Sequence, residues 1–498
     1  MNIPLADPTV PFGRILHLGA GAFHRAHEAV YLHRLKRQGE RGWLLASTNI
    51  RPDANPLLDA LAVQNGGYTL ETVQPNGRTT YEWISGIDQV IPWEADLATA
   101  TRLAADPLTR IISFTVTLAG YYLSANGGLD LRLTELSADL DRVRQGQTGR
   151  TLYGALIGLL RARMQAGSGP ITLQSGDSLR HNGDRARKGL REFAHLCGAE
   201  DVLAWLDTHT SFPNTIVDRI TPRPPSSLRQ RVYLATGYHD RVPITAESHL
   251  QWVIEDRFIA GRPHWEDVGV HMVDSINPYE EAKARLLKAT HCGIAWAGTL
   301  RGHTYIHESV HDPLIRQLAF DYITQDAIPC LGFPDNPVDL LAYRDQVLNR
   351  LGNVSLQDTN QRVSAHGFSK IPNCIAPTIR ERLAGRQSIE AVVMLPALFL
   401  AFLKRWHHGE LPYDYIDQNM NPALGHAMID SDDPVAALCA EPLLWGDLAG
   451  NTRLTEAVRR GLARVEQEVI TPARQVPGMS GVPYTPRHEV STHDLSPA

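Results

Sequence analysis

A run of cations holds the residues best suited to acid–base chemistry: Lys283, Lys288 and, shortly after, His291. A buried lysine crowded by like charges has a lowered pKa and can act as a base near neutral pH. The plainer interpretation of such a run is a solvated helix face. Lys288 lies about 140° around an ideal helix from Lys283, so the two share a pocket only if the helix ends or kinks before His291.

A second segment, residues 307–311, reads His-Glu-Ser-Val-His and satisfies HExxH, the helix motif of zinc metalloproteases. The extended form of that motif needs a glycine and a histidine further on, where Leu314 and Gln317 stand. The variant with a glutamate ligand also fails at its usual spacing, because no glutamate follows Glu308 before Glu381. A zinc hydrolase is therefore the weaker alternative, and we expect no metal.

A glycine turn, Gly19-Ala-Gly21, joins an apolar run at residues 14–18 to an Ala-rich periodic stretch at 22–37. This order predicts a strand, a tight turn and a helix. Gly19 permits the sharp turn, and Gly21 lets a pyrophosphate approach the N–H groups at the helix start. His24 replaces the third glycine of GxGxxG, but the strand–helix context still predicts dinucleotide binding.

The same turn carries a histidine pair, His24 and His27, with Arg25 between them. Two ligands are too few for a structural metal site, which almost always needs four. We expect the pair to contact phosphate or to pack at the helix start. Phe23, His24 and Arg25 are accordingly candidates for cofactor contact.

The residue that would bind the cofactor ribose is less well defined. An acidic residue usually follows the second strand of such a fold, but the predicted strand at 43–50 does not end in one. The nearest candidates are Asn49 and Asp53. Arg51 lies between them and leaves NADP open, because an arginine can bind a 2′-phosphate. Asp53 fits at least as well as the N-cap of a helix over 54–63.

The elements that must position these residues alternate between strand and helix in the first half of the chain. Further strands are predicted at 110–118 and 170–174, which favours a parallel, doubly wound α/β sheet of the Rossmann type. Beyond residue 278 the patterns are mainly helical, at 279–301, 313–326 and 387–407. We therefore predict a Rossmann-like α/β domain over 1–277 and a mainly α-helical domain over 278–498, ending in a surface tail of about twenty residues.

Composition excludes several classes of protein. The 498 residues include 48 basic and 54 acidic ones, for a net charge of −6 and no Lys/Arg block, so we expect no nucleic-acid partner. Five scattered cysteines without CxxC spacing exclude a disulfide scaffold and a zinc ribbon. The first residues lack the layout of a signal peptide, and the longest apolar stretch, 391–403, is too short to span a bilayer. We expect a cytoplasmic enzyme without membrane contact, as a monomer or small homo-oligomer.

Several blocks of sequence resemble the polyol-specific long-chain dehydrogenases, the mannitol dehydrogenase family. They are GAGAFHRAHEA (19–29), TLAGYYL (117–123), SFPNTIVDRITP (211–222) and QWVIEDRF (251–258), followed by Lys283 and His291. The resemblance runs from about residue 14 to at least 383. It implies a Rossmann-like domain, a largely helical C-terminal domain, NAD as the preferred cofactor and hydride transfer without metal.

The resemblance also assigns catalytic roles. The family's catalytic lysine falls on Lys283 and its paired histidine on His291. Glu280, three residues before the lysine, matches a glutamate that passes protons to solvent. In the implied mechanism Lys283 takes the hydroxyl proton of a secondary alcohol, while Lys288 and His291 stabilise the developing alkoxide.

Substrate contacts are implied at Asp218 in the VDR block and at Arg362 and Lys370 in DTNQR…GFSKIP. Residues 292–308 resemble the branch that oxidises D-arabinitol to D-xylulose. Mannitol 2-dehydrogenation and hexuronate reduction are the alternatives within the family. The expected partner is thus a small polyol or ketose.

Three departures from the family pattern bear on rate and orientation. Lys288 stands where an asparagine is usual, and Leu118 where a glutamate is usual. The block that usually reads SCDN is Ser175-Gly-Asp177-Ser178, so a hydroxyl at Ser178 replaces an amide donor in the substrate site. Asn182-Gly183 is retained.

Overall fold

The computed structural model of the chain describes residues 11–124 and 127–470. The polar tail predicted at the C-terminus lies outside these residues. Where it is described, the chain forms three β-sheets in its first 273 residues and helices after residue 277.

The strands follow the chain from the N-terminal glycine turn to the start of the helical part. They are β1 (Gly13–Leu18), β2 (Trp43–Thr48), β3 (Tyr68–Val73), β4 (Thr79–Ile84), β5 (Gln89–Val90), β6 (Thr109–Phe114), β7 (Ile171–Ser175), β8 (Thr210–Ser211), β9 (Thr215–Asp218), β10 (Ile244–Glu247), β11 (Gln251–Glu255) and β12 (His271–Val273).

The main sheet has the order β5-β2-β1-β6-β7-β8, and all of its pairs are parallel. The predicted Rossmann-type α/β domain is confirmed. Two small sheets flank it, β10-β3-β4 and β12-β11-β9. The second small sheet matters for function, because β9 ends at Asp218.

Helices cover both faces of the main sheet, as a doubly wound arrangement requires. On β1, Leu16 and Leu18 are buried in one hydrophobic core, while Ile15 is buried in another on the opposite face. Alternate residues of one strand thus serve two cores, which explains why the central strands read as nearly continuous apolar runs.

The helices of this part are α1 (Ala22–Ala26), α2 (Glu28–Arg37), α3 (Asn55–Val63), α4 (Ala98–Ala104), α5 (Thr134–Arg144), α6 (Leu152–Ala166), α7 (Asn182–Leu196), α8 (Glu200–His209) and α9 (Leu228–Thr236). The helix predicted over 22–37 is broken at His27, whose φ of −126° and ψ of −91° are not helical. The strand predicted over 110–118 ends at Phe114, because Thr117 has a φ of +65° and a 3-10 turn, Leu118–Tyr121, follows.

The second part is helical. Its α-helices are α10 (Asn277–Ala282), α11 (Ala289–Leu300), α12 (Ile306–His311), α13 (Pro313–Asp321), α14 (Leu340–Leu351), α15 (Asn360–Ser364), α16 (Gly367–Lys370), α17 (Ala376–Ala384), α18 (Met394–His407), α19 (Pro422–Ile429), α20 (Pro434–Ala440), α21 (Pro442–Trp445) and α22 (Thr452–Arg464). Turns of π-helix at Lys283–Lys288, Tyr322–Ala327, Ile371–Ile375 and Val465–Ile470 adjoin them.

One hydrophobic core joins these helices, from Ala282 to Val469. The helix predicted over 387–407 begins only at Met394, and Pro396 falls in its first turn, where a missing N–H costs no hydrogen bond. Among the described residues, the helices are too short or too polar to cross a bilayer.

Candidate active site

Lys283 lies where the helical part meets β9. Its Nζ donates to the Val217 carbonyl oxygen at 2.7 Å and lies 3.4 Å from Ser178 Oγ. The Asp218 carboxylate is 3.5 Å away, and the lysine side chain is only 12% exposed. The structure thus brings three predicted site residues, Lys283, Asp218 and Ser178, to one point between the domains.

The electrostatics of this point favour a neutral amine. Burial lowers the pKa of Lys283, and the nearby Asp218 carboxylate opposes that effect. The charges of Lys288 and Arg350 lower the pKa of Lys283 further. A lysine in these surroundings loses its proton more readily than one in water.

The helix around Lys283 is not a regular α-helix. Residues Lys283–Lys288 form a π-helical turn, and Ala289 N–H donates to the Ala284 carbonyl oxygen, five residues back. A hydrogen bond to the fifth residue back widens the turn, so residues five apart lie closer to one face than they would in an α-helix. Lys288 can share the pocket of Lys283 only if the helix departs from ideal α-helical geometry. The π-helical turn is such a departure.

His291 follows on α11 and is linked to a second carboxylate. Its Nε2 is 3.4 Å from Asp358 Oδ2. Asp358 accepts two hydrogen bonds from Arg362, each at 2.5 Å. Burial lowers the pKa of His291, with Asp358 opposing, so the imidazole is neutral at pH 7. Arg362 is thus held beside His291 by a shared carboxylate.

Lys370 approaches the same region from α16, where its Nζ donates to the Val363 carbonyl oxygen at 2.5 Å. Its charge contributes to the lowered pKa of His291. Glu280 lies one turn before Lys283 and is buried. Its carboxylate accepts from the His181 backbone N–H at 2.9 Å and lies 3.3 Å from His181 Nε2. Because the His181 side chain is 44% exposed, this contact reaches toward solvent.

Arg350 is a site residue that sequence reasoning missed. It lies on α14 and is buried, and its guanidinium contacts both Asp218 and Glu247. Burial alone would raise the pKa of Asp218, but Lys283 and Arg350 together hold it well below its usual range. A lone arginine in a helical pattern carries no signal for this role. Asp358 could have been found, since it lies one turn before Arg362 in the block DTNQR.

The glycine turn has the shape that a pyrophosphate requires. Gly19 has a φ of +108°, and a Cβ there would overlap the Thr115 carbonyl oxygen. At Gly21 a Cβ would meet only the Gly19 oxygen, at 3.8 Å, and it would project into otherwise open space. The N-cap of α1 is Gly21, which offers no side chain to cap the first N–H groups. These features fit a dinucleotide phosphate.

The side chains after the turn face the protein interior instead. His24 is 1% exposed, with Nδ1 3.1 Å from Glu28 Oε2 and Nε2 3.0 Å from Ser47 Oγ. Arg25 is also buried and donates to the Val242 carbonyl oxygen at 2.5 Å. The packing alternative of the sequence prediction therefore describes these side chains, and only their backbone reaches the turn.

Phe23 is half-buried and stacks on His27, with ring centroids 5.0 Å apart. His27 in turn lies 3.0 Å from the Gln251 carbonyl oxygen through Nε2. The histidine pair His24 and His27 is thus divided between two separate networks at the helix start.

Beyond β2 the chain places the ribose candidates near an arginine that already has partners. Asn49 directly follows the strand and is half-buried, and Asp53 is exposed. Asp53 lies inside the 3-10 turn Pro52–Ala54, and the N-cap of α3 is Ala54, so Asp53 is not the predicted cap. Arg51 pairs with Glu135 at 2.6 Å.

The HExxH motif has a structural role. Glu308 accepts the backbone N–H groups of Thr304 and Tyr305, at 2.8 and 2.9 Å, and so caps α12. Within the described residues, the clusters close enough to share a metal are His17/His24/Glu28 and Glu40/His264/Asp267. Neither cluster includes the motif.

The departures from the family pattern are partly explained. Asp177 is buried, and its carboxylate accepts the N–H groups of Val116 and Thr117, at 2.8 to 3.1 Å. It therefore shapes the loop after β6 as well as placing Ser178. Leu118 is 62% exposed, so the residue at the usual glutamate position projects from the protein surface.

Comparison with known proteins agrees with this geometry over nearly the whole described chain. The model of the mannitol dehydrogenase Rossmann domain matches residues 13–267, and that of the mannitol dehydrogenase C-terminal domain matches 275–466. The fold and site define an oxidoreductase that acts on CH–OH groups. The chain belongs to the mannitol dehydrogenase family and is a polyol dehydrogenase.

Two curated relatives carry the same name. D-arabinitol 4-dehydrogenase of Ralstonia nicotianae is 53% identical over 455 residues, which cover 91% of this chain and 96% of the relative. D-arabinitol 4-dehydrogenase of Klebsiella pneumoniae is 47% identical over 450 residues, covering 90% and 97%.

Solved structures confirm the fold. A substrate-free D-sorbitol dehydrogenase superimposes with a TM-score of 0.83 at 28% identity, covering 94% of this chain and 96% of that one. Pseudomonas fluorescens mannitol 2-dehydrogenase, in a ternary complex with NAD and D-mannitol, gives a TM-score of 0.77 at 31% identity and covers 94% of each chain.

Proposed function

We propose that the protein oxidises D-arabinitol to D-xylulose with NAD and that Lys283 is the general base. The observation that carries the mechanism is the buried Lys283 amine, held between the Val217 carbonyl, Ser178 and Asp218. Support for the substrate comes from the two relatives named D-arabinitol 4-dehydrogenase. Mannitol oxidation and hexuronate reduction are the alternatives.

The protein's own chemistry begins with a proton transfer. Neutral Lys283 accepts the hydroxyl proton of the secondary alcohol, since burial and neighbouring cations favour the uncharged amine. The ammonium of Lys288 and the neutral imidazole of His291 then stabilise the negative charge that develops on the alcohol oxygen. The remaining hydroxyls are oriented by Asp218, Ser178, Arg362 and Lys370.

The proton then has to leave a buried site. Glu280 lies one helical turn from Lys283 and contacts the half-exposed His181. We assign to Glu280 the transfer of the proton from Lys283 toward solvent.

NAD fits the residues at the glycine turn. Gly19 and Gly21 would hold the pyrophosphate with the backbone of Phe23, His24 and Arg25, and Asn49 or Asp53 would bind the ribose. When bound, the nicotinamide supplies the hydride acceptor. Arg51 is paired with Glu135, so its positive charge is less available to a 2′-phosphate. This pairing supports NAD over NADP.

The test is a panel of D-arabinitol, D-mannitol and D-sorbitol with NAD and NADP, and of hexuronates with NADH and NADPH, for the parent and for Lys283→Ala. We expect the highest kcat/KM with D-arabinitol and NAD, D-xylulose as the product, and full activity in EDTA. Lys283→Ala should lose several orders of magnitude in kcat while binding NAD normally. Lys188→Ala, at an exposed lysine on α7, is the matched control.

Contrary outcomes are distinct. Loss of activity in EDTA with recovery in zinc would restore the HExxH hypothesis. Cofactor binding without turnover of any polyol or hexuronate would reject the proposal. A higher kcat/KM with D-mannitol would retain the mechanism and change the substrate.

A further inference from the structure

A buried arginine of the helical part connects to the catalytic lysine through one carboxylate. Arg350, on α14, is 3% exposed. Its Nη1 donates to Asp218 Oδ2 at 2.8 Å and its Nη2 lies 3.3 Å from Asp218 Oδ1. Lys283 Nζ lies 3.5 Å from Asp218 Oδ1, the oxygen that Arg350 Nη2 also approaches. Asp218 thus contacts two cations.

The guanidinium is fixed by a second carboxylate. Arg350 Nη2 and Nε donate to the two oxygens of Glu247, at 2.8 and 3.1 Å. Glu247 is itself 2% exposed and accepts the Ile220 N–H at 2.6 Å. Planar, doubly paired guanidinium groups have well-defined positions, so Arg350 presents its charge to Asp218 in one geometry.

The charges around Asp218 decide how strongly its carboxylate raises the pKa of Lys283. A buried carboxylate at 3.5 Å from an amine stabilises the ammonium form, which is the wrong form for a base. A second cation bound to the same carboxylate offsets that stabilisation. We propose that Arg350 is a positioning residue that neutralises Asp218 from the helical domain and so keeps Lys283 available as a proton acceptor. This inference rests on the proposed role of Lys283.

The other charged and titratable groups around these residues are accounted for. Lys283 also experiences Lys288 and His27, Asp218 also faces His249 at 3.4 Å, and Tyr343 lies close to Asp218 and Arg350. Arg350 is among the causes that lower the pKa of Lys283, while Asp218 acts to raise it. The direction agrees with the geometry.

The experiment compares the pH dependence of kcat/KM for polyol oxidation in the parent and in Arg350→Gln. We expect the acid limb to move up by about one pH unit, which is about a tenfold loss at a fixed pH on that limb. Activity should recover at high pH, and the Kd for NAD should stay within about twofold. Arg344→Gln, on the same helix but paired with Asp345, should leave the profile unchanged.

A second variant has the opposite sign. Glu247→Gln keeps Arg350 but removes one of the two anions it balances, so the acid limb should move down. If Arg350→Gln does not fold, the direction of the Glu247→Gln shift alone decides. The inference is overturned if the normalised profile of Arg350→Gln coincides with the parent, or if Glu247→Gln moves the limb upward or not at all.

A readout independent of turnover separates this inference from the proposed function. Competitive acetylation of Lys283 as a function of pH, followed by mass spectrometry, reports its protonation directly. Arg350→Gln should shift that titration upward even if no polyol is oxidised. An unshifted titration would reject the role of Arg350, whereas a shifted titration without any turnover would reject only the proposed function.

Discussion

Lys283 and Lys288 are five residues apart, at the two ends of one π-helical turn that brings them closer to one face than an α-helix would. In an α-helix they would lie about 140° apart. The turn brings the Lys288 charge close enough to lower the pKa of Lys283. A cation therefore occupies the position at which the family pattern has a neutral amide.

Lys288→Ala should lower kcat for polyol oxidation and raise the apparent pKa of the acid limb. The reason is that the neighbouring ammonium both favours neutral Lys283 and stabilises the alkoxide. Lys288→Asn should retain or increase activity, because it restores the usual amide. A pH–rate profile of Lys288→Ala identical to the parent would show that Lys288 only faces solvent.

The two glycines of the turn should differ in what they do. Gly19→Ala should destabilise the protein, because its positive φ and the Thr115 carbonyl both disfavour a side chain. Gly21→Ala should fold with a nearly unchanged Tm but bind NAD at least tenfold more weakly, since a Cβ there projects into open space at the turn. Thermal unfolding and NAD titration measure the two effects. Equal Kd values for Gly21→Ala and the parent would place the pyrophosphate elsewhere.

Much of the fold follows from local pattern. Apolar runs in the sequence predict the strands β1, β2, β6 and β7. Their alternation with helices predicts that these strands pair in parallel. The break at His27 and the π-helical turn at Lys283 were not predicted as such, because tertiary contacts decide both. The ring of His27 packs among Phe23, Tyr31 and Trp252, which fixes its backbone away from the helical region.

Some residues of the site can be predicted from the sequence and others cannot, and the difference has a physical reason. Lys283, Asp218 and Ser178 lie in blocks with distinctive local sequence, and the structure brings them together. Arg350 reaches the site through its side chain, which extends from α14 to Asp218 at the end of β9 and Glu247 at the end of β10. Arg350 and Asp218 are 132 residues apart in the sequence, so the hydrophobic periodicity of the chain does not indicate their contact.

Cofactor choice should depend on the charges after β2. We expect Asp53→Ala to narrow the preference of kcat/KM for NAD over NADP. Glu135→Ala should narrow it further, because it releases Arg51 from its 2.6 Å ion pair. Asp59→Ala, at an exposed position on α3, is the control. An unchanged ratio for Asp53→Ala would make Asn49 the ribose ligand to test next.

Stability should fall on acidification because of the buried histidines at the glycine turn. Burial lowers the pKa of His27 to about 3 and that of His24 to about 4, against 6.5 in the unfolded chain. Their contribution is complete above pH 6.5 and is lost as pH falls, because only the unfolded chain then takes up the protons.

Between pH 6.5 and 4.5 the histidines of the unfolded chain take up protons, and comparing the parent with a histidine variant isolates the share of that one residue. Each buried histidine should there cost up to about 1.4 kcal/mol of unfolding free energy per pH unit. His27→Gln should reduce the slope by up to that amount, whatever it does to stability at pH 7. His271→Gln, at an exposed residue of β12, is the control. Urea unfolding at a series of pH values measures the slope, and equal slopes for His27→Gln and the parent would show that His27 is protonated in the folded protein.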